Sequence, residues 1–297
     1  MKAQAVKKNG LLELIETKQN LDSIGGLDVL KEWLLKRRNA FGQKAIEYGL
    51  PTPKGLLILG IAGTGKSLTG KATAKVFGVP LLKLDAGRIF AGLVGQSESN
   101  LRAVIQTAEA IAPCCLWIDE VEKGFSGTKS SNATDGGTSA RVFGTFLSWM
   151  QEKASPVFVV ATANDVSQLP PEMLRKGRFD ELFFVDLPNQ AERKAIWEIQ
   201  IGKHGRDPKD FDVVQLAKAT EGLTGSEIEN AFVEALYLAF DSEREPTDLD
   251  IAQVLTEFVP LSKLMAEQIG SLRQWSKGRA GLATSTQSER KLRRIVA

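Results

Sequence analysis

The segment Gly60-Ile61-Ala62-Gly63-Thr64-Gly65-Lys66-Ser67 constrains this chain more than any other, because a glycine-rich turn closing in Gly-Lys-Ser works only between a buried strand and a helix. An apolar run, Gly55 to Gly60, precedes it and a helical pattern, Ser67 to Phe77, follows. Glycines let several backbone N–H groups converge at a helix N-terminus, where the dipole favours an anion. Lys66 then neutralises the β- and γ-phosphates of a nucleotide, and the Ser67 hydroxyl ligates Mg2+. The candidate nucleotide contacts here are Gly60, Ala62, Gly63, Thr64, Gly65, Lys66, Ser67 and Leu68. The bland alternative is a tight strand-to-helix turn that binds nothing.

Four more apolar runs are bounded by Gly, Pro or Asp: Pro80 to Asp85, Cys114 to Asp119, Val157 to Thr162 and Glu181 to Asp186. With Gly55 to Gly60 they predict a five-stranded parallel sheet. Helical patterns alternate with them, as in Ser97 to Ile111, where Leu101, Val104, Ile105 and Ala108 recur at helical spacing. The fold class expected is α/β, with the sheet covered by helices. After Asp186 the strand-like runs stop. Asn189 and Glu192 have capping-box spacing, and Val213 to Ala219 reads as a short helix. A longer helix starts near Ser226 with Ile228, Ala231, Phe232, Ala235, Leu236 and Phe240 on one core-facing stripe, and a last one runs from Thr247 to Phe258. This divides the chain into a lead-in (1–20), an α/β domain (21–187), a small helical domain (188–260) and a C-terminal helix with a basic, partly disordered tail (261–297). Gly124 to Ser139, rich in Gly, Ser, Thr and Asn, reads as a mobile loop, and the stretch from Ala280 as unstructured.

Charge excludes little for the whole chain, since 38 Lys and Arg face 36 Asp and Glu. Eight basic and two acidic residues fall between Leu261 and Ala297, so any affinity for nucleic acid should sit in that tail. Cys114 and Cys115 are adjacent and point to opposite faces of a strand, which reads as core in a reducing compartment. His204, the sole histidine, lies in a polar Gly-flanked stretch, so a zinc site is not expected and it reads as a solvated loop residue. No apolar run has the length of a membrane span, and the N-terminus lacks the apolar core of a secretory signal.

Hydrolysis of a nucleotide needs a carboxylate for the metal and one for water, and Cys114-Cys115-Leu116-Trp117-Ile118-Asp119-Glu120 ends in both. Asp119 is the candidate for holding Mg2+ through its water shell. Glu120 is the candidate for polarising the attacking water. Asn164, at the end of another strand, falls beside Glu120 if the two strands are neighbours, although a lone Asn there is more often a turn residue. In Leu174-Arg175-Lys176-Gly177-Arg178 three cations crowd four positions, either as a solvated patch or as groups that reach a neighbouring subunit's γ-phosphate.

In this order and spacing the motifs resemble the AAA family of ATPases, from about Leu21 to Val259. The resemblance implies an AAA-type phosphate-loop core with a helical lid, ATP and Mg2+ as cofactors, and a hexameric homo-oligomer. It makes Ile24 and Gly25 base contacts, Asn164 the first sensor, Arg175 and Arg178 the arginine fingers, Arg141 an interface arginine, and Gly225 with Ser226 the start of the second-sensor helix. Segments such as Leu93-Val94-Gly95-Gln96 and Val259-Pro260-Leu261-Ser262 are more specifically similar to AAA proteins of the conserved chloroplast open reading frame 46 and their cyanobacterial counterparts. That subfamily implies a cytoplasmic location, in a cyanobacterium or a plastid stroma, and its members usually carry a further N-terminal region of domain size, whereas this sequence begins about 20 residues before the ATPase module. Leu93 stands where threading relatives carry a pore aromatic, with Phe90 nearby, so chain threading is less expected than hydrolysis.

Three functions are weighed. The first is a ring-forming Mg-ATPase that remodels or regulates a protein partner, with a possible link to photosynthesis. The second is an ATP-dependent assembly switch that hydrolyses slowly. The third is a nucleic-acid motor or loader, for which the chain has only its basic tail.

Overall fold

The structure is a computed structural model that describes residues 10–86, 89, 96–125, 133–175 and 177–285. The five expected strands form the middle of one sheet: β2 (Gly55–Gly60), β3 (Leu81–Leu84), β4 (Cys114–Ile118), β5 (Val157–Ala163) and β6 (Glu181–Val185). They run parallel in the order β3-β4-β5-β2-β6, and every residue of β2, β4 and β5 is buried. The sheet has seven strands rather than five. β1 (Leu12–Ile15) pairs antiparallel with β3, and β7 (Gly281–Leu282) pairs parallel with β6. These edges are too short to show a period, and β7 buries neither residue, so no hydrophobic pattern marks them.

Strand alternation splits the core in two. On one face Leu57, Leu59, Leu116 and Val159 pack against α4 (Gln96–Ile111) and α5 (Ala133–Glu152). On the other, Leu56, Ile58, Trp117 and Phe158 pack against α1 (Asp28–Arg37) and α3 (Lys66–Phe77), while the short α2 (Gln43–Glu47) lies between these two in sequence. Cys114 belongs to the first cluster and Cys115 to the second. The helix α5 corrects the loop reading of Gly124 to Ser139 over residues 133–139, while residues 126–132 lie outside the described residues. Its apolar residues Val142, Phe143, Phe146 and Met150 anchor it on the sheet, and the helix continues upstream through Gly136 and Gly137 to Ala133 despite a propensity cost of about 1 kcal/mol per glycine.

Beyond Asp186 lie α6 (Gln190–Lys203), α7 (Val213–Ala219), α8 (Gly225–Asp241) and α9 (Asp248–Glu257), around Trp197, Ile228, Phe232 and Ile251. Asn189 caps α6, its Oδ1 accepting from the amides of Ala191 and Glu192 at 3.0 and 3.1 Å. Phe240 is 81% exposed, which corrects its placement in the core stripe. It lies about 120° around the helix from Ile228, whereas the buried Ala239 returns to the core face. His204 is also corrected: it ends α6 half-buried, 5.8 Å from the Phe232 ring.

Asp250, 4% exposed, locks α9 in place. It accepts both guanidinium nitrogens of Arg244, at 2.7 and 2.5 Å, and the amide and hydroxyl of Thr247, each at 2.8 Å. The Arg244 hydrogen bonds hold its carboxyl well below the usual carboxylate range. Because the folded value is depressed, this stabilisation is present above the unfolded value of 3.8 and is lost as pH falls through the folded value. Asp250→Ala should cost about 1–3 kcal/mol, read as a lower melting temperature at pH 7, and the gap to the parent should shrink below about pH 4.

The chain then returns to the sheet. After α10 (Leu261–Leu264), α11 (Ala266–Ser276) sets Ile269 and Leu272 against Ile61 and Phe184, and Arg273 Nε meets both oxygens of Asp186 at 2.9 Å. β7 follows, so residues 281–285 are ordered on the domain, against the expectation of an unstructured stretch from Ala280. The rest of the basic tail, Leu93 and Phe90 lie outside the described residues. No helix among the described residues is long and apolar enough to cross a membrane.

Candidate functional site

A cleft of about 240 Å³ opens where β2 meets α3 and is roofed by α6 and the start of α8. Lining it are Ile24, Gly25, Ala62, Gly63, Thr64, Gly65, Lys66, Ser67, Leu68, Glu120, Asn164, Gly225 and Ser226, so most of the residues nominated from the sequence converge. Gly60, Asp119, Arg175 and Arg178 are absent from the lining.

Two glycines permit this convergence. Gly25 lies so close to α6 that an added Cβ would sit 2.4 Å from Ile196 Cγ1 and 3.0 Å from its amide nitrogen. A side chain there would push α6 off the loop. Gly63, at φ 76°, leaves no room for one either, since a Cβ would come within 2.8 Å of Thr224 Oγ1. Its carbonyl accepts from Ser226 N at 3.0 Å, which ties the glycine-rich turn to the first residues of α8.

The acidic end of the cleft is a chain of hydroxyls and carboxylates. Ser67 Oγ donates to Asp119 Oδ1 at 2.9 Å, and Thr162 Oγ1 donates to the same oxygen at 2.6 Å. Glu120 N donates to Thr162 Oγ1 at 3.0 Å, and Asn164 Nδ2 to Glu120 Oε1 at 3.1 Å. The second Glu120 oxygen pairs with Lys123. Glu120 itself sits at φ 50°, a conformation that costs a non-glycine residue about 1–3 kcal/mol. That cost aims its carboxylate along the cleft, beside Asn164.

Lys66 is 5% exposed and donates to Ile61 O at 2.6 Å. Burial lowers its pKa to about 8, against the opposing pull of Glu122, Asp119 and Glu120. An arriving phosphate raises it again, so above pH 8 binding must take up a proton. We expect ADP affinity to fall by up to about tenfold per pH unit above that value in a titration from pH 7 to pH 9.5, and to stay flat below it.

Mg2+ fits these residues. Ser67 Oγ and Asp119 Oδ1 are hard oxygen donors side by side, and Mg2+ typically takes one or two such groups and completes its shell with water and substrate phosphates. Among the described residues no cluster of three His, Cys, Asp or Glu could hold a metal alone.

Sequence reasoning missed Thr162, Glu122, Ile196, Ile199, Gln200 and Glu229. Glu122, 6% exposed, accepts from Asn164 N at 2.9 Å, and burial raises its pKa. Its only signal was a further carboxylate after Asp-Glu. Ile196, Ile199 and Gln200 line the base side on α6, where helical spacing looks the same for a core and for a ligand face. Arg175 is exposed, and half-buried Arg178 donates to Glu172 O. Arg141 is exposed and 3.9 Å from Glu98.

Residues 56–187 match the family model of the ATPase family associated with various cellular activities (AAA), and residues 210–253 that of the AAA+ lid domain. The chain is 50% identical over 287 residues to the uncharacterized AAA domain-containing protein ycf46 of Pyropia yezoensis, covering 96% of this chain and 58% of that one. It is 47% identical over 285 residues to the ycf46 protein of Guillardia theta, covering 95% and 56%. To the ATP-dependent zinc metalloprotease FtsH 4 of Synechocystis it is 30% identical over 251 residues, covering 82% and 40%. The chain thus spans little more than half the length of the ycf46 relatives.

Proposed function

The chain belongs to the AAA family, and from that premise we propose that it is a Mg-dependent ATPase that assembles into a ring, a hexamer by family precedent, and uses hydrolysis to remodel or regulate a protein partner. The observation that carries the reading is the convergence of Lys66, Ser67, Glu120 and Asn164 on one cleft, with Asp119 directly behind Ser67.

Lys66 and the amides of the glycine turn bind the β- and γ-phosphates; Ser67 and Asp119 would hold Mg2+, whose charge would offset that of the phosphate oxygens. Glu120 takes up the proton of the attacking water, and Asn164, bonded to it at 3.1 Å, fixes the direction of its carboxylate. Ile24, Gly25 and Ile196 enclose the base. Arg175 and Arg178 do not line their own cleft, which supports a role at the cleft of a neighbouring copy. The similarity to ycf46 proteins supports a place in a cyanobacterial cytoplasm or a plastid stroma, and with it a link to photosynthesis.

The test is phosphate release per subunit at rising protein concentration, beside the solution mass of Glu120→Gln with and without Mg-ATP. Turnover that climbs as the mass moves from one subunit to a closed ring supports the proposal. Turnover independent of concentration in a verified monomer overturns the ring. Assembly with ATP but only slow turnover would favour a switch instead.

A further inference from the structure

We propose that Gly281–Ser285 is a strap that positions the base side of the nucleotide cleft without touching it, an inference that rests on the ATPase reading of that cleft. The helix α1 lacks a cap of its own. Leu27, at its N-cap, lies at φ 56° and contributes no side-chain hydrogen bond, so the first amides of the helix need an outside acceptor. Ala283 provides one: its carbonyl accepts from both Val29 N and Leu30 N at 3.1 Å. Ala283 is in turn fixed to the sheet, its amide donating to Phe184 O at 3.0 Å next to the β6–β7 pairing.

The neighbouring strap residues hold the same corner. Ser285 donates through its amide and hydroxyl to the two oxygens of Asp28, at 2.8 and 2.5 Å. Thr284 Oγ1 donates at 2.6 Å to Glu192 Oε1, which also accepts from Leu27 N at 3.1 Å. The other Glu192 oxygen accepts from Asn189 N at 2.9 Å and closes the cap of α6. One carboxylate, 5% exposed, therefore joins the strap, the loop that ends in Leu27 and the first lid helix. That loop carries Ile24 and Gly25, and α6 carries Ile196, which meets Gly25. Lys31, on α1, holds the loop from its other side through Ile24 O at 2.5 Å.

The phosphate end is anchored separately, by β2, α3 and the Ser226–Gly63 hydrogen bond. Loss of the strap should therefore weaken recognition of the nucleoside and leave recognition of the phosphates alone, a split that general destabilisation would not produce.

The experiment compares the full chain, the chain ending at Ser285, the chain ending at Ala280, and Thr284→Val in the full chain. Each displaces a bound fluorescent ADP analogue with ADP and with inorganic tripolyphosphate. The chain ending at Ser285 should match the full chain. Ending at Ala280 should weaken ADP by about tenfold or more and tripolyphosphate by less than about twofold, and Thr284→Val should weaken ADP by about threefold at an unchanged melting temperature. Equal losses for both ligands, or none, overturn the strap. If the chain ending at Ala280 does not fold, Thr284→Val decides alone. A full chain that binds neither ligand overturns the reading of the cleft and the strap with it, whereas normal binding with insensitive variants removes only the strap.

Discussion

Arg178→Ala is expected to lower ATP turnover by about three to five orders of magnitude while leaving ATP affinity within a few-fold of the parent, the effect of withdrawing an in-trans arginine from the transition state. The basis is positional. Arg178 does not line the cleft of its own chain, so in the proposed ring its charge would reach the γ-phosphate of a neighbouring subunit. Its hydrogen bond to Glu172 O supplies a competing explanation, in which the variant fails because the segment before β6 loosens. Mixing separates the two. When Arg178→Ala subunits are combined with Glu120→Gln subunits, some clefts combine an intact Glu120 with the neighbour's intact Arg178. Recovery of turnover in the mixture, with neither variant active alone, requires the arginine to act in trans. No recovery at any ratio, in rings verified by mass, would reject that role.

Glu120→Gln should lower turnover by about two to four orders of magnitude, because an amide cannot take the proton of the attacking water. Binding should persist, since Asn164 Nδ2 can still donate to the remaining oxygen and nothing in the phosphate turn depends on this side chain. The backbone sharpens the expectation. Glu120 occupies φ 50°, so Glu120→Ala would carry the same strain without the carboxylate, whereas Glu120→Gly would relieve it. Turnover should fall in all three variants, and Glu120→Gly should melt above Glu120→Ala. Normal turnover in Glu120→Gln would remove Glu120 as the base.

The parallel centre of the sheet was legible because its strands are mostly apolar and bounded by Gly, Pro or Asp, and because the glycine-rich turn fixes what lies on each side of it. The pairing of β4 with β5, Ile118 opposite Ala161, is what brings Asn164 to Glu120, and it followed from strand adjacency. The edges were not legible. Leu12–Ile15 and Gly281–Leu282 are strands because a neighbour offers free backbone groups, and their own residues specify almost nothing. Phe240 misled because six apolar residues at near-helical spacing drift off one face over three turns. The base side of the cleft was half legible: Ile24 and Gly25 came from resemblance, whereas Ile196, Ile199 and Gln200 become ligand-facing only once α6 is laid across the loop. Glu192 shows the same limit, since its capping role is local and readable while its bonds to Leu27 and Thr284 span the chain.

The chain has two cysteines, both fully buried, and burial pushes the Cys115 thiol well up, away from the reactive thiolate. Cys114 faces one core and Cys115 the other. Alkylation can then proceed only when the sheet parts from its helices, so the rate of thiol modification is a clock for opening of the central strand β4. With the two thiols on adjacent residues, that clock has separate hands for the two layers: modification of Cys115 alone marks release of the layer formed by α1 and α3, and modification of Cys114 alone marks release of the layer formed by α4 and α5.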